Sequence, residues 1–70
     1  MYYELFITTR KSVNSKENHE NIQFPSLRSA LERAMFETEA SMGKFFRIEV
    51  VCVSDKVTEN GKLYYVCQNY

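Results

Sequence analysis

Apolar residues between positions 44 and 53 fall on both sides of an extended chain. Phe46, Ile48, Val50 and Cys52 share one parity; Phe45, Val51 and Val53 share the other. The run is rich in β-branched and aromatic residues and holds no breaker, so it predicts an interior strand. Residues 2–9 also alternate. Tyr3, Leu5 and Ile7 form the more uniformly apolar set and are expected on the core side, while Tyr2, Glu4, Phe6 and Thr8 face away.

Residues 10–21 are polar, charged and without a helical stripe, which predicts a loop. It is long for a compact domain, so it is either a functional loop or its ends continue the flanking strands. Ile22 and Phe24 share a parity, which suits a short second strand over 21–24. Pro25 keeps Phe24 extended and Ser26 is a good N-cap, so a helix is predicted over 27–42, stopped by Gly43. Leu27, Ala30, Leu31, Ala34, Met35, Thr38 and Met42 fall on its sheet-facing side, and Arg28, Glu32, Arg33, Glu37 and Glu39 on the solvated side. Phe36 breaks the pattern by projecting nearly opposite the stripe. It reads either as a stray surface aromatic or as an anchor for a partner, with Arg33 beside it.

Asn60 and Gly61 predict a two-residue turn. That register pairs Glu59 with Lys62, Thr58 with Leu63, Lys56 with Tyr65, Ser54 with Cys67 and Cys52 with Asn69. It places Leu63, Tyr65 and Cys67 on the core face and makes Cys52 and Cys67 diagonal neighbours, unless a bulge near Asp55 and Lys56 shifts it. The expected fold is α+β: one domain over 1–70, with a single helix on a three- to four-stranded antiparallel sheet in the order β, short β, α, β, β. Nothing remains to cover the other sheet face. There the pattern places Tyr2, Phe6, Phe45, Arg47, Val51, Val53, Tyr64 and Val66, an apolar surface of the kind that marks interaction sites.

Composition narrows the function classes. A chain of 70 residues buries only about 60% of its unfolded surface, so it gains from staples or self-association. Nine basic and nine acidic side chains give zero formal charge, which argues against a nucleic-acid binder relying on bulk charge and removes repulsion between copies. With a final strand over 62–69 at a sheet edge, this predicts a symmetric dimer, through the outer face or edge to edge. No basic-then-apolar leader and no membrane-spanning run are legible, which points to a reducing cytoplasm and to Cys52 and Cys67 as buried thiols.

Candidate chemistry is sparse. His19 is the single histidine and has no second ligand at metal-site spacing. Gly43 and Gly61 are the only glycines, which leaves no phosphate loop. No Ser–His–acid set forms, and Glu37 and Glu39 point in different helical directions. The expectation is therefore no catalytic residue, no cofactor and no metal, hence a binding protein. The candidate partner-binding residues are Phe36, Arg33, Tyr2, Phe6, Phe45, Arg47, Val51 and Tyr64. A second reading makes the open face a stacking platform for single-stranded nucleic acid, with Tyr2, Phe6, Phe45 and Tyr64 under the bases and Arg47, Lys44 and Lys62 on phosphates. Zero net charge and the neighbouring Glu49 favour a protein partner instead.

Asn14 and Ser15, a charged loop, Ile22 and Gln23, a helix, Met42 and Gly43, then Arg47, Ile48 and Glu49 precede a final hairpin. This order resembles a small phage-encoded anti-CRISPR family that blocks type I-F surveillance complexes. The correspondence spans residues 1–66. The resemblance implies a one-helix, antiparallel-sheet plan and an accessory protein of a phage or mobile element that inhibits a host machine by binding it. This chain has a longer final hairpin and fewer basic helix residues than the family pattern, and no site residue is transferred. Its Lys, Asn, Tyr and Phe usage also resembles that of AT-rich phage genomes.

Overall fold

The computed structural model describes residues 1–69. Its elements are β1 (Tyr2–Arg10), β2 (Asn18–Phe24), α1 (Leu27–Ala40), β3 (Phe45–Val53) and β4 (Leu63–Asn69). The strands form one antiparallel sheet in the order β2-β1-β3-β4, with α1 across one face, the expected α+β plan. β1 and β3 are interior, which accounts for apolar residues on both of their parities. Leu5 faces Ile22 and Val50, and Ile7 faces Ile48, so the inner parities of three strands coincide. Leu5, Ile7, Phe46, Ile48 and Val50 are buried against Ala30 and Ala34, whose small side chains let the helix lie close.

The polar run 10–21 is strand at both ends, with residues 11–17 as the connecting loop. β1 continues to Arg10 and β2 begins at Asn18, with a short turn closed by Ser15 N–H donating to Ser12 O at 3.1 Å. Main-chain pairing extends this hairpin regardless of its polar side chains, because β2 is an edge strand whose His19, Glu20 and Asn21 stay exposed.

Ser26 caps α1 as expected. It is extended (φ −128°, ψ 149°), and its Oγ accepts from Ser29 N–H at 3.2 Å. The helix ends at Ala40, before the predicted Met42, and Lys44 N–H donates to Ser41 O at 3.0 Å to close a turn containing Gly43 at φ +91°. Two helix assignments need correcting. Met35 and Met42 do not pack on the sheet: they are 56% and 63% exposed. Ala30, Ala34 and Thr38 occupy the centre of the contact, so Met35 falls on its flank and Met42 beyond the last turn.

The final hairpin also departs from its predicted register. Asn60 and Gly61 bend the chain, but within a wider loop. Glu59 and Asn60 N–H both donate to Lys56 O, at 3.0 and 2.9 Å, and Ser54 N–H donates to the Asn60 side chain at 3.1 Å. Gly61, at φ +82°, donates to Cys52 O at 2.7 Å. This hydrogen-bonded loop displaces the two-residue turn. Phe46, not Cys52, faces Asn69; Ile48 faces Cys67, Val50 faces Tyr65, and Val51 faces Leu63 across a bulge. Leu63 is consequently exposed beside Val51 and is not a core residue. Cys67 is half-buried opposite Ile48, well along β3 from the buried Cys52, and both cysteines are free.

Candidate functional site

The register assembles the uncovered sheet face in rows. His19, Thr8, Arg47 and Gln68 line up across the strands, followed by Asn21, Phe6, Glu49 and Val66, then Gln23, Glu4, Val51 and Leu63. Arg10 with Phe45 closes one end and Tyr2 with Val53 the other. On β1 and β3 every side chain of this face is half-buried by its lateral neighbours, with no layer above it.

Polar groups hold the first row in place. Arg47 Nε donates to Glu49 Oε1 at 2.9 Å, and its Nη1 donates to Gln68 Oε1. Thr8 Oγ1 and His19 Nδ1 are 3.2 Å apart. The Arg10 guanidinium lies over the Phe45 ring, 5.5 Å from its centroid. The face is thus a flat mosaic, with aromatic and aliphatic groups framed by a charge-paired arginine.

Tyr2, Phe6, Phe45, Arg47 and Val51 are brought together on this face as predicted. Tyr64 is not. The bulge between the Val50 and Val51 pairings breaks the alternation of β4, so Tyr64 turns to the helix side with Tyr65. There it packs edge-to-face on Tyr3, with centroids 5.8 Å apart and an interplanar angle of 80°. The phenol of Tyr3 is held above the ordinary tyrosine range by partial burial, and further by Cys52, Tyr64 and Glu59. Phe36 and Arg33 lie elsewhere again, on the outward side of α1. Phe36 is 63% exposed, and Arg33 Nε is 3.4 Å from Glu37 Oε2.

Arg10, His19, Glu49 and Gln68 belong to the open face but were not among the expected partner-binding residues. Strand parity marks Glu49 and, with Val66, Gln68, whereas Arg10 and His19 lie in the run read as a loop; the pairing of Gln68 with Arg47 needs the observed β4 register.

The described residues enclose no cavity and hold no group of three or more His, Cys, Asp or Glu side chains placed to bind a metal. Among them, no helix is long and apolar enough to cross a membrane. Comparison with known protein families, curated proteins and solved structures finds no match to this chain.

Proposed function

We propose that this protein is a non-enzymatic binding domain that docks on another protein through the open face of its sheet. The observation that carries the reading is that face itself: Tyr2, Phe6, Phe45, Val51 and Val53 stand half-buried on interior strands with nothing packed over them. Aromatic residues and arginine are the groups enriched at protein interfaces, where an apolar centre sits within a polar frame. Arg47 and Glu49 enter such an interface already paired, which lowers the cost of desolvating either one. A stacking platform for nucleic acid is less well supplied, because Tyr64 lies on the opposite side and Arg47 is engaged by a carboxylate.

The partner in this reading is a host protein or complex, and the protein acts in the host cytoplasm as a phage or mobile-element inhibitor of a defence machine. The residue order that resembles the anti-CRISPR family supports this choice, as does an α+β plan with one helix on an antiparallel sheet. Phe36 with Arg33 is the alternative docking point.

Tagged protein incubated with a purified type I-F surveillance complex, and with bacterial lysate before and after nuclease treatment, tests the proposal. Protein is expected to be retained regardless of nuclease, with retention lost in Val51→Lys and kept in Phe36→Ala. Recovery of nucleic acid alone overturns the protein-partner reading. Loss in Phe36→Ala but not in Val51→Lys moves the site to the helix.

A further inference from the structure

The two edges of the sheet differ in chemistry. β2 carries His19 and Glu20, with Lys16 and Glu17 just before it, whereas none of the seven residues of β4 is charged. An edge strand presents unpaired backbone N–H and C=O groups, and charged side chains or proline are the usual protection against pairing with another chain. Lys62 is the nearest cation to β4 along the sequence, with its ammonium 5.3 Å from the centroid of the Tyr64 ring, and Arg47 of the neighbouring strand β3 reaches the Gln68 side chain.

A second observation concerns the side chains around this edge. Leu63 and Val66 are 46% and 48% exposed on β4. On the helix side, Thr38 Oγ1 and Tyr65 Oη share a hydrogen bond of 2.7 Å, which ties α1 to β4. Met35 on α1 and Met42 beyond its last turn are exposed as well. Exposed apolar groups therefore stand on the bare edge itself, on its open side.

We infer that β4 is a self-association edge, at which a second copy of this chain pairs its own β4 antiparallel about a two-fold axis near Val66 and Cys67. Two four-stranded sheets become one continuous sheet. The occupant is another copy because the strand suits itself. An antiparallel two-fold sets neutral residues against neutral residues along the whole segment, so no like charges meet. The zero net charge adds no long-range repulsion. The pairing leaves both open faces on one side of the extended sheet, free for a partner, so it is independent of the docking reading above.

Sedimentation of the full chain across a concentration series, with amide hydrogen exchange read at each concentration, tests the inference. A dimer is expected, with β4 amides gaining protection as it forms. Val66→Lys, which sets two cations near the axis, is expected to give a folded monomer, while Asn21→Lys on the β2 edge and Val51→Lys on the open face stay dimeric. A wild-type chain that remains monomeric overturns the inference. So does a dimer that Val51→Lys dissociates, or one without added β4 protection. The exchange measurement on the wild type decides even if Val66→Lys fails to fold.

Discussion

Ile48 sits on the inner parity of β3, facing Ile7 on β1 and Cys67 on β4, and is fully buried. Truncating such a side chain removes its transfer free energy and leaves a cavity, so Ile48→Ala is expected to cost about 2–5 kcal/mol. Urea titration should show it as a much lower midpoint. A parent-like midpoint would contradict the burial. Tyr3 supplies a pH dependence. Its phenol binds its proton more tightly in the fold than in the unfolded chain, mainly through partial burial. The resulting stabilisation is complete below the ordinary phenol pKa of about 10 and is lost as pH rises through the higher folded value. Tyr3→Phe should flatten the alkaline fall in melting temperature. An unchanged alkaline limb would assign that fall to other groups.

The interior strands and the helix start were legible because their signals are local and agree. β3 is apolar on both parities, and Ser26 after Pro25 marks a cap that the backbone adopts. The β4 register was not, because Asn60 and Gly61 are a strong turn signal that is also compatible with the wider loop closed by Lys56 O, Asn60 Oδ1 and Cys52 O. The bulge then reversed the assignments of Leu63 and Tyr64, since each extra residue flips the parity that follows. Met35 and Met42 were misplaced because an even apolar stripe says nothing of how narrow the contact is; alanines bring the helix close and confine it. The loop makes its own prediction. Gly61 is left-handed at φ +82°, and a Cβ there would meet nothing within 4 Å, so Gly61→Ala should cost about 1–2 kcal/mol from backbone conformation alone. Equal stability of the two proteins in urea would show that this turn relaxes without loss.

At the scale of the molecule, most of the candidate face was legible from parity, with Tyr2, Phe6, Phe45, Arg47 and Val51 on one side of two adjacent strands. Tyr64 was lost with the register. The surface charges are balanced and locally paired: Arg28 with Glu32 at 3.1 Å, Arg33 with Glu37 at 3.4 Å and Arg47 with Glu49 at 2.9 Å. Such pairs contribute about 0.2–1 kcal/mol each when exposed, and zero net charge leaves no global repulsion to screen. Raising salt should therefore shift the urea midpoint only slightly; a large rise would reveal uncompensated repulsion. The strand order also governs the path to the fold. β1 has β2 on one side and β3 on the other, so its second neighbour arrives only after the hairpin turn and the whole helix have been threaded. Joining β1 to β3 closes the longest loop in the molecule, and contacts distant in sequence slow the barrier crossing. In stopped-flow experiments Ile7→Val, at that junction, is expected chiefly to slow refolding, whereas Tyr65→Phe, on the last strand to dock, should chiefly hasten unfolding. The opposite pattern would place the β3–β4 hairpin in the nucleus and make the central seam the late event.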